Sequence, residues 1–228
     1  MCSVRICGCC ASLVGLTDVG TGLCLRSIKC HVFRFFSILG LRLKNDGVVK
    51  VQLPFAFSVE NLHAELATVR DDEWIAHYNP DDHEGNWRLA ALMAPAGMQS
   101  NIWSCAIPEI CSPTPLLKRC DYFQTILDQI PVKKSSVRLM KLDAGAVIKE
   151  HCDSFGDEEV RIHIPVTTNP EVEFSLAGER VEMETGSCWF LDFRLPHSVV
   201  NHGNGSRTHL VIDAYRNDWL AEQLGVVG

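Results

Sequence analysis

The sequence has no apolar run of roughly 18 residues, the length that a helix needs to span a bilayer. It also lacks a positive charge balance, because 21 Lys and Arg stand against 28 Asp and Glu, a formal charge of −7. Binding to the phosphates of nucleic acid depends on a basic surface. We therefore predict a protein without a membrane span and without a nucleic-acid partner.

The eleven cysteines lack the pattern of a disulfide framework. Six of them lie within the first thirty residues, and the other five are scattered without a CxxC pair. An odd number of cysteines and the lack of a clear secretory signal favour a reducing compartment. We predict a cytoplasmic protein, with an organellar leader in residues 1–40 as the alternative, since such leaders are basic and poor in acids.

Residues 1–44 differ in composition from the rest of the chain. They are rich in Cys, Ser and Gly and contain a single acid, Asp18. The run CGCC at Cys7–Cys10 lacks a second ligand pair at zinc spacing, which favours unstructured thiols over a soft-metal site. We predict that 1–44 is an N-terminal extension, poorly ordered or leader-like. From 45 to 228 we predict one domain, without an internal repeat or a low-complexity linker.

Two helices and a series of short strands are predicted for this domain. The stretch SVENLHAELATVR has Ser58 as an N-cap and apolar residues at helical spacing. TPLLKRCDYFQTILDQI has the apolar stripe of a helix, which Pro131 ends. From Ser136 onward, eight short runs of β character are separated by Gly, Asn, Asp or Pro. This pattern predicts a mainly β sandwich, jelly roll or small barrel with flanking helices.

The first candidate site combines the HxD pair His151 and Asp153 with His197. In an extended chain residues i and i+2 point the same way, so His151 and Asp153 can reach one point. His197 begins a later strand, which in a jelly roll can lie beside the earlier one. Two histidines and one carboxylate on one face form the facial triad of non-haem Fe(II) oxygenases. The alternatives are a solvated His–Asp pair and a turn histidine at 197.

A second group of polar residues lies at strand positions. Arg207 follows His197 by ten residues, and an inward arginine is costly unless it meets an anion. A dicarboxylate such as 2-oxoglutarate would supply that anion through paired hydrogen bonds. The alternative is an arginine that points to solvent. Arg161 and His163 share one face by the period of two, although His163 could also be a core histidine bound to the backbone. Arg138 is a weaker candidate for the same lining.

The stretch from about Arg138 to Leu220 resembles the aspartyl/asparaginyl β-hydroxylase family. The motifs that carry the resemblance are GAVIKEHCD, VRIHIPV, LPHSVVN and RTHLVID, and DHEGNWRLAAL adds a fainter likeness before them. The resemblance implies a double-stranded β-helix (jelly roll, cupin-like) fold. It also implies that the protein requires Fe(II), 2-oxoglutarate as co-substrate and O₂, and that it releases succinate and CO₂.

The same resemblance implies roles for individual residues. His151 and His197 match the iron-binding histidines of the family. Arg207 matches the arginine that binds the distal carboxylate of 2-oxoglutarate. Arg161 and His163 match the family's RxH motif, which also faces the co-substrate.

Two departures from the family bear on the substrate. Asp153 stands where better-known animal members carry glycine, and Met140 stands where they carry serine. The chain is therefore more similar to hydroxylases of small molecules with a full His–Asp–His triad. We expect a carboxylate-bearing amino acid, free or in a peptide or protein, as the substrate. Arg138, Trp87 and Arg88 are the candidate substrate-binding residues, with packing as the alternative role for the tryptophan.

The function predicted from these observations is that of a 2-oxoglutarate-dependent dioxygenase that hydroxylates an unactivated C–H bond of an Asp- or Asn-like residue or a free amino acid. One rival is a cupin-like metalloenzyme that does not use 2-oxoglutarate, in which Arg207→Ala would leave activity largely intact. Another is a β-sandwich module that binds a small molecule without catalysis and does not bind stoichiometric metal. The sequence does not specify the oligomeric state.

Overall fold

A computed structural model describes residues 47–96 and 107–226. The predictions for the extension over 1–44, including the CGCC run, lie outside these residues. Within the described part of the chain, no helix is long and apolar enough to cross a membrane.

The described residues form thirteen strands, three α-helices and four short 3₁₀ turns. The helices are α1 Val59–Leu66, α2 Asp121–Gln129 and α3 Asp218–Gln223. The strands are β1 Lys50–Ala56, β2 Ile75–Ala76, β3 His83–Glu84, β4 Trp87–Pro95, β5 Cys111–Pro113, β6 Lys133–Leu142, β7 Val147–His151, β8 Glu159–Thr167, β9 Val172–Leu176, β10 Glu179–Arg180, β11 Ser187–Leu191, β12 His197–Asn201 and β13 Arg207–Tyr215. The 3₁₀ turns are Asp71–Glu73, Pro80–Asp82, Pro108–Ile110 and Leu117–Arg119.

The strands form two antiparallel sheets whose order is that of a jelly roll. The larger sheet has the order β1-β11-β8-β13-β6-β4-β2, with β5 paired to β4, and the smaller one has the order β10-β9-β12-β7-β3. From β6 to β13 the chain therefore passes between the sheets so that β6, β8, β11 and β13 fall in one and β7, β9, β10 and β12 in the other. The predicted mainly β double-stranded β-helix with flanking helices is confirmed.

Local sequence explains where the helices begin and end. Ser58 caps α1, since its hydroxyl accepts a hydrogen bond from the backbone N–H of Asn61 at 3.2 Å. The second helix is shorter than its apolar stripe predicts: a 3₁₀ turn covers Leu117–Arg119, and α2 itself starts only at Asp121. The β region begins at Lys133, three residues before the predicted start at Ser136, so Pro131 separates α2 directly from β6.

The larger sheet buries both of its faces, and the two faces differ in chemistry. One face presents Ile162, Ile164 and Leu210 to the helices, together with buried residues of α2 such as Phe123. The other face looks towards the smaller sheet and combines apolar residues with polar ones, among them six that have ionisable side chains. These six residues are Arg138, Arg161, His163, Arg207, His209 and Asp213, all of them buried. Because side chains alternate along a strand, these polar residues line the space between the sheets.

Candidate active site

His151, Asp153 and His197 come together at one end of the space between the sheets. His151 is the last residue of β7 and His197 the first of β12, and the two are cross-strand partners. The backbone N–H of Asp153 donates to the carbonyl of Phe193 at 2.8 Å, which holds the residue after the strand in place. One ligand atom from each of the three residues lies within 4.8 Å of the others. The structure thus brings the predicted triad together.

The hydrogen bonds of the two histidines leave the same ring nitrogen available on each. Nδ1 of His151 lies 2.8 Å from the carbonyl oxygen of Lys149, and Nδ1 of His197 lies 3.0 Å from that of Leu195. A carbonyl oxygen only accepts, so each Nδ1 carries a proton, and in the neutral form of each ring Nε2 has a lone pair. Backbone carbonyls commonly orient metal-binding histidines in this way. Two imidazole nitrogens and one carboxylate are a donor set that suits Fe(II) or Mn(II), so the residues fit a divalent metal.

The charges of the three side chains are coupled. Burial raises the pKa of Asp153, but Arg161 and the two histidines outweigh it, and the pKa of this carboxyl lies well below its usual range. Burial lowers the pKa of His197 to about 4. Burial also acts to lower the pKa of His151, but the hydrogen bond to Asp153 and the carbonyl of Lys149 reverse the effect, so that its pKa is raised. Asp153 is therefore ionised and His197 neutral at neutral pH, as metal binding requires.

A chain of buried ion pairs extends from Asp153 away from the histidines. Nη1 of Arg161 forms a short ion pair with Oδ2 of Asp153, and Nε of Arg161 donates to Oδ1 of Asp213 at 2.6 Å. Asp213 also accepts from Nη1 of Arg138 at 2.8 Å and from the hydroxyl of Ser136 at 2.9 Å. Two arginines and two aspartates thus alternate in one buried network. Arg161, predicted to face the co-substrate, is in contact with a candidate metal ligand.

Arg207 has a different environment. It is buried at 3% exposure, and its Nε has no hydrogen-bond partner. Within residues 47–96 and 107–226, no carboxylate forms an ion pair with it, and burial lowers its pKa to about 9. Its Nη2 contacts Nδ1 of His209 at 3.0 Å, and its guanidinium lies 6.0 Å from the ring centroid of Phe174. A buried guanidinium of this kind has the charge and the N–H donors that could hold an anionic ligand.

His209 and His163 connect Arg207 with the triad. A guanidinium has only N–H donors, so Nδ1 of His209 accepts from Arg207. The same Nδ1 lies 3.2 Å from Nδ1 of His163, which therefore donates. Nε2 of His163 then keeps a lone pair, and this buried atom has no partner in the described part of the structure. The ring of His163 stacks on Phe193 at 4.6 Å, and Phe193 packs edge-on against His197 at 4.6 Å.

A cavity of about 660 Å³ reaches Arg207 and His209 from outside. Its wall also includes Trp189, Phe174 and Val172. Val172 pairs with the last residue of β12, whereas the triad is at the first residue of that strand. Part of the cavity wall therefore lies near the end of β12 away from the triad, and the cavity is large enough for a small ligand.

The candidate substrate-binding residues have different surroundings. Trp87 is buried between the sheets, stacks on His77 at 3.7 Å and has an indole N–H without a partner. Arg138 belongs to the buried network, and its Nε is also without a partner. Arg88 follows Trp87 in β4 and so points to the opposite face, where it donates to Asp143 at 2.8 Å. The structure therefore brings Arg138 close to the triad but separates Arg88 from it.

Three residues of this site were not among the sequence candidates: Asp213, His209 and Ser136. Asp213 lies six positions after Arg207 in one strand, so the period of two that relates Arg207 to His209 also places Asp213 on the inner face. This alternation could have identified it. Ser136 bears no comparable signal, because its role depends on the pairing of β6 with β13.

The family described as aspartyl/asparaginyl beta-hydroxylase matches residues 57–217. A protein of Rhizobium meliloti (strain 1021) named L-proline cis-4-hydroxylase is 29% identical over 165 residues. The match covers 69% of this chain and 57% of that protein, so the chain spans little more than half the length of this relative.

Among solved structures, the chain is similar to an oxidoreductase of the 2OG-Fe(II) oxygenase family from Burkholderia pseudomallei. The TM-score is 0.51 at 14% sequence identity, and the match covers 75% of this chain and 88% of that one. At this level of identity the similarity concerns the fold. It agrees with the jelly-roll order of the strands.

Proposed function

We propose that the protein is an Fe(II)- and 2-oxoglutarate-dependent hydroxylase of an amino acid. The chain belongs to the aspartyl/asparaginyl β-hydroxylase family. The relative from Rhizobium meliloti is named for a reaction of this kind on L-proline. The family assignment agrees with the resemblance that the sequence motifs indicate. The convergent His–Asp–His triad, and the buried Arg207 that has no carboxylate partner within the described residues, are suited to the two binding functions that this reaction requires.

The metal is assigned to His151, Asp153 and His197. Their ligand atoms converge within 4.8 Å, and the Nδ1 hydrogen bonds to backbone carbonyls orient both imidazole rings with Nε2 available. Three protein ligands leave further coordination positions of Fe(II) for other molecules. When bound, Fe(II) with 2-oxoglutarate and O₂ supplies the oxidising power for C–H hydroxylation, with succinate and CO₂ as products.

The main support for 2-oxoglutarate as co-substrate is the buried position of Arg207 without a carboxylate partner among the described residues. A buried arginine without a carboxylate partner is unfavourable in the unliganded protein, and binding of an anion would relieve this cost. A planar guanidinium can donate two parallel hydrogen bonds to one carboxylate. We assign the distal carboxylate of 2-oxoglutarate to Arg207. The neighbouring His163 and His209, whose pKa values burial and then Arg207 keep well below the usual range, add no second positive charge.

The substrate is proposed to carry a carboxylate. The polar residues between the sheets include three arginines, Arg138, Arg161 and Arg207, but only two ionised aspartates, Asp153 and Asp213. The two charges of Fe(II) and the two of 2-oxoglutarate cancel, so that one positive charge is left over. A substrate carboxylate would balance it, and the unpaired Nε of Arg138 is a donor suited to this group. Trp87 would supply an apolar wall beside it.

The remaining roles of the chain are positioning and exclusion of water. Phe193 separates His163 from His197 with its ring, and Phe174 lies 6.1 Å from Phe193 on the same inner surface. These rings add apolar surface to the space between the triad and Arg207 and help to exclude water from it. Electrostatic contacts are stronger in such a space than in water, which favours tight and oriented binding of a charged co-substrate.

The first experiment is anaerobic titration of the purified chain with Fe(II) and 2-oxoglutarate, followed by the weak visible charge-transfer band of the chelated co-substrate. We expect a saturable band that His197→Ala abolishes. A protein that is folded and binds metal but forms no band would instead support a cupin-like metalloenzyme. A protein that binds no metal would support a binding module.

Substrate class is then tested by succinate formation. Uncoupled turnover without substrate provides the baseline, and free L-proline, L-aspartate and L-asparagine are compared with the same residues inside short blocked peptides. We expect stimulation by compounds with a free carboxylate and loss of that stimulation in Arg138→Met. Equal stimulation by amides without a carboxylate would contradict the substrate assignment.

A further inference from the structure

Asp213 is a buried carboxylate that the proposed reaction does not use directly. It is 3% exposed and accepts hydrogen bonds from Arg161, Arg138 and Ser136. The distances are 2.6 Å to Nε of Arg161, 2.8 Å to Nη1 of Arg138 and 2.9 Å to the hydroxyl of Ser136. These contacts use both of its oxygens, so its orientation is fixed from two sides.

Arg161 transmits this orientation to the triad. Its Nε and Nη2 are held by Asp213, and its Nη1 forms the short ion pair with Oδ2 of Asp153. The other oxygen of Asp153, Oδ1, lies 3.5 Å from Nε2 of His151. One oxygen of Asp153 is thus occupied by Arg161, while the second remains next to the histidine nitrogens that converge with it.

We propose that Asp213 is a positioning residue of the metal centre, which fixes Arg161 so that Arg161 in turn holds Asp153 with one oxygen presented to the metal. This inference rests on the metal centre of the proposed function. It adds to the three candidate ligands a carboxylate that is linked to the ligand Asp153 through Arg161. Residues in such outer positions orient ligands and typically change metal affinity by 10- to 100-fold when replaced.

The charge of Asp213 matters as well as its position. Arg138, Arg161, Asp153 and Asp213 together have no net charge. Without Asp213, two arginines would share Asp153, and the excess positive charge would repel a divalent cation. A test must therefore separate the loss of orientation from the loss of charge balance.

The experiment measures the affinity of the full chain for Mn(II), a redox-inert probe, in the absence of co-substrate and substrate. Three variants are compared with the wild type. Asp213→Asn keeps the shape of the side chain but removes its charge. The double variant Asp213→Asn with Arg138→Met also restores the charge balance, and Arg138→Met is measured alone. Glu73→Gln is the matched control, because Glu73 is likewise a carboxylate between two arginines, Arg70 and Arg119, outside the site. Circular dichroism checks that each variant is folded at the temperature of the titration.

We expect Asp213→Asn and the double variant both to bind Mn(II) about 10- to 100-fold more weakly than the wild type. Glu73→Gln should bind Mn(II) as tightly as the wild type, and Arg138→Met alone should bind Mn(II) more tightly than the double variant, because it keeps the contact of Asp213 with Arg161. Asp213→Asn leaves two arginines with Asp153 as their one ionised partner. If this variant does not fold, the inference is tested with the double variant. Wild-type affinity in the folded double variant would overturn the inference, since Asp213 would then only balance charge.

The wild type itself separates this inference from the proposed function. If it binds no Mn(II), the metal centre of the proposed function fails and the inference fails with it, whereas wild-type affinity in the double variant overturns the inference alone. A wild type that binds Mn(II), with weak binding in the double variant, supports both.

Discussion

Replacement of Arg207 by methionine should stabilise the unliganded protein while it weakens the binding of 2-oxoglutarate. Burial lowers the pKa of Arg207 to about 9 from its ordinary 12.5. At ~1.36 kcal/mol per pH unit, this difference corresponds to about 5 kcal/mol of destabilisation at neutral pH. Because methionine fills a similar volume without a charge, we expect a gain of about 1–4 kcal/mol, the range found when buried ionic groups are replaced by apolar ones. For a domain of this size that gain is a rise in melting temperature of roughly 2–15 °C.

The sign of the pH dependence follows from the direction of the shift. The folded protein holds the proton of Arg207 less tightly than the unfolded chain, so the cost is present in full below about pH 9. It fades as pH rises above that value, because the folded protein then releases the proton first. The advantage of Arg207→Met over the wild type should therefore be largest at neutral pH and diminish at alkaline pH.

Binding of the co-substrate should change in the opposite direction. Removing one partner of a buried, hydrogen-bonded charge pair costs about 2–5 kcal/mol. At ~1.4 kcal/mol per tenfold change, the Kd for 2-oxoglutarate should rise about 30- to several thousand-fold. The Kd is measured by the anaerobic charge-transfer titration, and stability by thermal unfolding with a chelator present.

Arg119→Met is the control for this experiment. Arg119 is paired with Glu73 and lies outside the barrel, so its replacement should not raise the melting temperature and should leave the Kd for 2-oxoglutarate unchanged. A variant Arg207→Met that is less stable than the wild type and still forms the band with an unchanged Kd would refute the reasoning. Such a result would mean that Arg207 has a partner in the unliganded protein and does not bind the co-substrate.

Three further predictions concern the triad and the turns. Asp153→Ala or His197→Ala should remove stoichiometric Mn(II) binding, measured by titration, because each takes away one of three ligands. Burial acts to lower the pKa of His151, but the hydrogen bond to Asp153 outweighs it and the pKa is raised. This pair therefore stabilises the metal-free protein at acidic pH, and the stabilisation is lost as pH rises through the raised pKa. Asp153→Asn should abolish this part of the pH dependence of urea unfolding. Gly186→Ala should cost at least about 2 kcal/mol in urea unfolding, because φ is +83° and the new Cβ would lie 2.4 Å from a backbone oxygen. Gly178→Ala, with φ of +81° and nothing within 4 Å, should cost only about 1 kcal/mol.

The sequence pattern predicts the fold where side chains alternate strictly. In β8, Ile162 and Ile164 alternate with Arg161 and His163, and both sets are buried on opposite faces, as the period of two requires. The pattern is less informative where an apolar stripe continues through a break. The stretch before α2 has helical periodicity from Leu116 onward, but the chain forms a 3₁₀ turn there, and its hydrogen bonds are those of a turn and not of a continuous helix.

The sequence by itself determined the motifs of the family and the inner face of each strand, because these depend on residue type and on the local period of two. Only the tertiary structure decided which inner residues meet. His197 reaches His151 because β12 pairs with β7, and Arg161 reaches Asp213 because β8 pairs with β13 in a register that places them opposite each other. Contacts between strands distant in the chain depend on this register, which no local pattern specifies. For the same reason Arg161 is found between two aspartates, whereas Arg207 is left without an anionic partner within the described residues.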